Sequence, residues 1–168
     1  MLKPEQRARA GRLRPPLSAD PLSRHRRMKA LIVRQPWIDK ILSGAKVWEL
    51  RGSRTQTRGP IALIQGGSGT VVGVCEVVGV KGPLSVSELR RTASRHRVLT
   101  AILNAGLRYR KTYAWIVRGA RRLRAPVRYR HPSGGVICVK LTPHVVKAVG
   151  RITPRFSVRA SRAAEHEL

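Results

Sequence analysis

The sequence predicts an α+β fold: a small, mixed but mostly antiparallel β-barrel of about six strands, flanked by two or three helices. Six or seven short apolar runs alternate irregularly with two or three helical patterns. Most connections between the runs are too short for parallel crossovers, which favours antiparallel pairing. A closed sheet would also remove exposed strand edges. We expect one ordered domain over residues 28–142, between a disordered basic arm (1–27) and a partly disordered C-terminal tail (143–168).

The first half of the domain predicts three strands and one helix. A strand over residues 28–33 is followed by Pro36, which suits the first turn of a helix. Apolar residues then repeat at three- and four-residue spacing until Gly44, which fits a C-terminal cap. The second and third strands are predicted at 47–50 and 61–64, on either side of a polar, arginine-containing loop.

The second half begins with a long strand and a helix. Residues 71–80, VVGVCEVVGV, are apolar on both faces, which predicts a strand buried on both sides. Ser85 and Glu88 have the spacing of a capping box, so a helix begins there and continues through Arg97. Residues 98–105 either extend that helix or form a second short one. Further strands are predicted at 113–117, 123–129 and 136–141, with room for a helical turn between Pro143 and Val146.

The charge points to a polyanionic partner. The chain carries 35 Lys and Arg against 8 Asp and Glu, a net charge of +27, and a pI of about 12.0. Nucleic acid is the polyanion that such a protein most often meets, and its binding should depend strongly on salt. An arginine-rich proteome would explain part of the same excess, so charge alone leaves both interpretations open.

Other function classes find little support in the composition. The two cysteines, Cys75 and Cys138, lie in valine-rich runs and read as buried thiols of a reducing compartment. The histidines are scattered and no Cys-x-x-Cys occurs, so we expect neither a metal nor another cofactor. No apolar run has the length of a membrane span or of a signal-peptide core. We therefore expect a cytoplasmic monomer with no membrane contact.

Several segments carry a family resemblance. Residues 44–51, GAKVWELR, fit the pattern G-x-K-x-x-E-x-R. Matching segments occur in the same order at 34–37 (RQPW), 59–64 (GPIALI), 73–77 (GVCEV), 113–117 (YAWIV) and 127–136 (VRYRHPSGGV). Over residues 28–141 the chain thus resembles the ASCH domain family (activating signal cointegrator homology).

The resemblance implies a PUA-like barrel with a cleft between the barrel and its first helix. It also implies a connection with nucleic acid, because ASCH domains occur in a eukaryotic transcriptional coactivator and PUA relatives bind RNA. The expected function is therefore binding of nucleic acid, RNA favoured over DNA, with a charged cleft that accepts a base or a nucleotide end.

A rival function is hydrolysis of RNA or of a modified nucleoside. Some bacterial members resemble an N4-acetylcytidine amidohydrolase with a catalytic Lys, a Thr three residues later and a Glu on a later strand. The Lys matches Lys46 and the Glu matches Glu76, which would be the catalytic residues of an enzyme. The Thr position is Glu49, which removes the nucleophile and should raise the pKa of Lys46. A third interpretation is a protein-interaction module.

The candidate ligand- and nucleic-acid-binding residues lie mainly around the ASCH-like segment. They are Gln35, Trp37, Lys46, Glu49, Arg51, Arg54, Arg58, Glu76, Tyr113 and His131.

The charged residues of this segment have two interpretations each. Lys46 and Glu49 would point to opposite faces of a regular strand, unless a twist or bulge brings them together. They either contact the ligand or form a surface ion pair. Arg51 shares the face of Glu49 and either pairs with it or contacts a phosphate.

Other candidate residues also have two interpretations each. Glu76 either lines the cleft or pairs with an arginine, because a lone buried carboxylate is unfavourable. Trp37 stacks a base or anchors its helix, and Gln35 reads a base edge or caps that helix. His131 is either an acid–base group or an ordinary loop residue.

Overall fold

A computed structural model describes residues 28–134 and 137–152. The predicted arm (1–27) and residues 153–168 of the predicted tail lie outside this description. No helix among the described residues has the length and apolarity needed to cross a bilayer. The elements are β1 (Lys29–Val33), α1 (Trp37–Leu42), β2 (Trp48–Arg51), β3 (Gly59–Gln65), β4 (Thr70–Lys81), α2 (Val86–Arg91), α3 (Ala93–His96), α4 (Thr100–Asn104), β5 (Tyr113–Arg128), β6 (Cys138–Lys140) and α5 (Pro143–Ile152).

The six strands form one mixed, curled sheet. Their order is β2-β5-β4-β3-β1-β6, and only the β1–β3 pair is parallel. The predicted α+β class, with about six mostly antiparallel strands, is confirmed. The sheet curls as a half-barrel, and within the described residues β2 and β6 are its edges.

Both faces of the sheet are buried, as the apolar pattern of β4 predicts. On one face Val74 packs with Val145 and Val149 of α5. On the other face Cys75 packs with Ile38 and Ile41 of α1. Because neighbouring residues of a strand point to opposite faces, β4 serves both cores. α1 is therefore held on the inner face of the curl, beside the start of β2.

Gly73 permits this placement of α1. A Cβ at this position would meet the side chain of Leu42 and would lie 2.7 Å from the carbonyl oxygen of Arg121. Only glycine leaves room for the helix and the neighbouring strand to approach β4 so closely.

The two strands predicted at 113–117 and 123–129 are one continuous strand, β5. Its middle, RGARR at 118–122, stays paired with β4, where Arg118 lies opposite Glu76 and Arg122 opposite Gly73. Exposed arginines interrupt the apolar alternation in this middle part, so the prediction that a strand ends at residue 117 is wrong. Irregular register along this pair accommodates the change.

The helices differ more from their prediction. The capping box of Ser85 and Glu88 is confirmed, but the helix that it starts ends at Arg91. The chain bends at Thr92 and forms α3, whose C-terminal cap is Arg97 in the left-handed conformation. Residues 98–105 contain the separate helix α4. The structure therefore describes five helices instead of the predicted two or three.

The C-terminal helix α5 is longer than the predicted turn. The prediction ended the turn at Val146 and treated 143–168 as a tail. The structure continues the helix to Ile152. Val145, Val146 and Val149 are buried against the sheet, so this part of the predicted tail contributes to the core.

Candidate ligand-binding site

Three charged side chains, Lys46, Glu49 and Arg51, form a buried triad. Lys46 Nζ lies 3.2 Å from Glu49 Oε2, and Arg51 Nη2 lies 3.0 Å from Glu49 Oε1. Lys46 precedes β2, so strand alternation does not separate it from Glu49. The three residues are only 2, 7 and 9% exposed, which excludes the interpretation of Lys46 and Glu49 as a surface ion pair.

The ammonium group of Lys46 is fully engaged. Besides Glu49 it donates to the carbonyl oxygens of Trp48 at 2.7 Å and His96 at 2.9 Å. Three acceptors thus match its three protons. Burial lowers the pKa of Lys46 and outweighs the opposing effect of Glu49. Glu49 thus raises the pKa of Lys46 as predicted, but burial has the larger effect and the net shift is downward.

Arg51 connects two strands that are not neighbours in the sheet. Its Nη2 donates to the carbonyl oxygen of Ile32 in β1, at 2.7 Å, as well as to Glu49 on its own strand. β1 and β2 are separated by three strands in the sheet order, so the guanidinium crosses the inside of the curl. Of the two interpretations of Arg51, the structure shows the pair with Glu49.

His96 supports the triad from α3. The residue is fully buried; its Nδ1 accepts the backbone N–H of Val98 at 3.0 Å. Its Nε2 must then carry the proton that is donated to the carbonyl oxygen of Leu89, at 2.8 Å. Burial lowers the pKa of His96, and the charge of Lys46 adds to that effect. The imidazole is therefore neutral in the folded protein near pH 7.

This arrangement predicts a loss of stability in mild acid. In the unfolded chain, His96 binds a proton below its ordinary pKa of about 6.5. In the folded chain the lowered pKa keeps His96 neutral in the same pH range. The unfolded state therefore binds more protons than the folded state. The free energy of unfolding should fall by up to about 1.4 kcal/mol per pH unit below that value. Urea unfolding between about pH 7.5 and about pH 5.5 measures this slope.

The matched variants for the pH slope are His96→Gln and His144→Gln. His144 is exposed on α5, so its removal should preserve the slope, whereas His96→Gln should remove it. An unchanged slope in His96→Gln would contradict this assignment. Asp39 and Glu88 do not interfere, because hydrogen bonds lower the pKa of both carboxyls, so they titrate in stronger acid.

The triad borders a recess of about 460 Å³, which we call the first recess. Two members of the triad, Lys46 and Glu49, line it together with Trp37 of α1. Lys46 Nζ lies 5.4 Å from the centre of the Trp37 ring, within the range of a cation–π contact. The remaining lining residues are Leu50, Val98, Ile102, Gly106, Leu107, Arg108 and Tyr109.

Sequence reasoning missed the wall that α4 and the segment after it provide. Ile102 is a 40% exposed apolar residue on a five-residue helix. Arg108 and Tyr109, in the segment after α4, belong to the same wall. The available signal was the apolar pair Leu99 and Ile102 in a short helix among arginines, which local periodicity cannot assign to a site.

Glu76 lies outside the lining of the first recess. It pairs with Arg118 across β4 and β5 at 3.1 Å, with its side chain 25% exposed. Its neighbour Cys75 points into the core beside Glu49. Burial raises the pKa of the Cys75 thiol to about 12, and the negative charges of Glu49 and Glu76 contribute to the same shift. Because alternation turns Glu76 to the opposite face, it pairs with an arginine and does not line the first recess.

The other predicted residues are dispersed. Gln35 hydrogen-bonds the carboxylate of Asp39 at the start of α1. Tyr113 is half-buried opposite Arg51 in the β2–β5 register, and His131 contacts the hydroxyl of Tyr129 at 2.9 Å. Arg54 and Arg58 lie in the loop after β2, where Arg58 donates to two carbonyls of its own loop and Arg54 borders a second recess. Of the candidates, Trp37, Lys46 and Glu49 are brought together in the first recess.

Comparisons with known proteins agree with the observed fold. A family model described as the ASCH domain matches residues 31–127. The crystal structure of ASCH from Zymomonas mobilis superposes with a TM-score of 0.59 at 14% identity, covering 76% of this chain and 96% of that one. No curated protein matches the chain.

Two mutants of the same Zymomonas mobilis protein are equally similar. A serine-to-alanine mutant has a TM-score of 0.59 at 15% identity, covering 77% of this chain and 98% of its own. A tyrosine-to-phenylalanine mutant has a TM-score of 0.59 at 14% identity, covering 76% and 99%. At such identities the likeness establishes a shared fold.

Proposed function

The chain belongs to the ASCH domain family, which has a PUA-like fold, and from this premise we propose that it binds single-stranded RNA with one base in the first recess. The recess volume of about 460 Å³ falls in the range of small-ligand sites.

Glu49 is the observation that carries the proposal. Its two oxygens each accept from one cation of the triad, and a carboxylate offers about four lone-pair sites. Glu49 also lines the recess, so an amino group of a ligand can donate to it. Cytosine, adenine and guanine carry such an exocyclic amine, whereas uracil does not. The site should therefore prefer a base with an amino group.

The walls of the recess suit the faces of a base. Trp37 supplies an aromatic surface, and Val98, Ile102 and Leu107 supply apolar contacts. Stacking of a base on an aromatic side chain contributes about 1–3 kcal/mol. Arg108 belongs to the same lining and can meet the phosphate beside the bound base.

Lys46 then has a positioning role instead of a direct one. Its three protons are used by protein acceptors, so its part is to hold Glu49 ionised and fixed in the wall of the recess. Hydrolysis is the less supported function, because Glu49 occupies the position of the nucleophile and Glu76 pairs with Arg118 outside the recess lining.

A filled recess tests the proposal. Ile102→Trp places a larger side chain at the recess, while Leu99→Trp is its matched control on an exposed residue outside the lining. Fluorescence anisotropy with cytidine and uridine oligonucleotides of about ten residues measures the affinity. We expect the wild type to prefer oligocytidine by roughly tenfold or more, since a hydrogen bond to a charged group contributes about 1.5–3 kcal/mol.

The two variants should differ clearly in their preference for oligocytidine over oligouridine. Ile102→Trp should bring the affinity for oligocytidine down to that for oligouridine, and Leu99→Trp should leave the preference intact. Equal binding of both oligonucleotides by the wild type, or a preference that survives in Ile102→Trp, would refute the proposal.

A further inference from the structure

The second recess, of about 610 Å³, lies between the loop after β2 and the β1–β6 pair. Three cationic side chains border it: Lys29 on β1, Arg54 in the loop and Lys140 on β6. The hydroxyls of Ser53, Thr55 and Thr57 lie along the same loop. Cations combined with hydroxyls are the usual donors to phosphate oxygens.

Two of the cations face each other directly. Lys29 and Lys140 are opposite partners in the antiparallel β1–β6 register, so their side chains project from the same face. Like charges in this position destabilise a strand pair. An anion bound between them would attract both ammonium groups and offset this repulsion.

The donors of this recess are largely unused. Lys29 Nζ donates one proton to Thr57 Oγ1 at 3.1 Å and has two others. The side chains of Arg54 and Lys140 have no hydrogen-bond or ion-pair partner among residues 28–134 and 137–152. Several N–H donors can therefore converge on one bound group without breaking an existing contact.

The loop that carries Arg54 is held in place by its own hydrogen bonds. Trp115 Nε1 donates to the carbonyl oxygen of Ser53 at 2.9 Å. The backbone N–H of Thr57 donates to Thr55 Oγ1 at 3.0 Å, and Arg58 Nη1 donates to the carbonyl oxygens of Thr55 and Thr57. A loop fixed in this way loses little conformational entropy when it binds a ligand.

No acidic side chain of the described chain neutralises this recess. The described residues include four acids, and each is engaged elsewhere. Glu49 belongs to the buried triad and Glu88 caps α2. Asp39 pairs with Arg122, and Glu76 pairs with Arg118.

We propose that the second recess is a phosphate-binding site, in which Lys29, Arg54 and Lys140 surround the bound group. It would take either a phosphate of the RNA strand or a free phosphate compound, since the same oxygens are recognised in both. The site does not depend on a base entering the first recess.

Calorimetric titration of the full chain with inorganic phosphate at low ionic strength tests the site. The double variant Arg54→Ser/Lys140→Ser should bind phosphate at least roughly tenfold more weakly than the wild type. The matched control is Lys147→Ser/Arg151→Ser, which removes the same charge from exposed positions of α5 and should bind like the wild type. Melting temperatures check that both variants fold.

Equal weakening in the two double variants, or no binding of inorganic phosphate by the wild type, would overturn the site. Anisotropy with RNA separates the two sources. If the strand supplies the phosphate, Arg54→Ser/Lys140→Ser weakens RNA binding as well; if a free compound does, RNA binding is unchanged while phosphate binding is lost. Ile102→Trp should retain phosphate binding, so failure of the first recess as a base site remains distinguishable.

Discussion

Replacing Glu49 by glutamine should lower the free energy of unfolding by about 3–5 kcal/mol. Glu49 is the one acid in a triad that also contains Lys46 and Arg51, and all three are nearly excluded from solvent. A neutral amide keeps the shape of the side chain and removes its charge. Two buried cations would then face each other without a counter-ion, which is the situation that costs most in a protein interior.

Lys46→Met is the informative comparison. It removes one of the two cations and leaves Glu49 paired with Arg51, so the buried charges become balanced one to one. The free energy of unfolding should fall by about 1–3 kcal/mol, because the carbonyl oxygens of Trp48 and His96 lose a hydrogen-bond donor.

Urea denaturation of the two variants measures both costs at neutral pH. The charge-balance account requires Glu49→Gln to be clearly the more destabilising variant. A larger loss in Lys46→Met, or a loss below about 1 kcal/mol in Glu49→Gln, would show that charge balance does not govern this part of the core.

The affinity for RNA should fall by about 10³–10⁵ between about 50 and about 200 mM salt, as for proteins that make about 6–10 phosphate contacts. The described residues carry 24 Lys and Arg against 4 Asp and Glu. Many of the arginines follow one strand, β5, and extend just past its end. They include Arg118, Arg121, Arg122, Arg124, Arg128 and Arg130.

Individual arginines of β5 allow a matched test of the salt dependence. Arg124→Ser and Arg128→Ser should each reduce the slope of log affinity against log salt by about one, because each removes one phosphate contact. Arg124→Lys keeps the charge and should keep the slope. A slope near zero in the wild type would mean that the charge excess does not contact a polyanion, which would favour the protein-interaction interpretation.

Local signals predicted much of the scaffold. The capping box of Ser85 and Glu88 and the apolar runs of the early strands depend on residues close in sequence, so they could be read directly. β5 could not be read in full, because exposed arginines interrupt its apolar period while its backbone remains paired with β4. The end of α5 was missed because its third buried residue, Val149, lies beyond the turn that was considered.

The site was predictable only in part, because some of its contacts join residues that are distant in sequence. Lys46, Glu49 and Arg51 attract notice as charges within an apolar segment, and their proximity in sequence suggested a common role. Their decisive partners are distant: Lys46 donates to His96, 50 residues away, and Arg51 donates to Ile32 on another strand. Local pattern cannot show such contacts.

Glu76 illustrates a second limit. A strand buried on both faces offers no apolar–polar alternation to tell which face a lone acid occupies. The packing of α1 on one face and α5 on the other decides it, and both placements depend on tertiary contacts. The wall provided by α4 was missed on similar grounds, since nothing in the segment itself directs Ile102 toward Glu49.

The most direct test of the account is a crystal structure of the protein with a short cytidine-containing single-stranded RNA. We predict one base inside the first recess, against the ring of Trp37, with its exocyclic amine within about 3.2 Å of a Glu49 oxygen. RNA bound only along the arginines of β5, with no base in the first recess, would contradict the account.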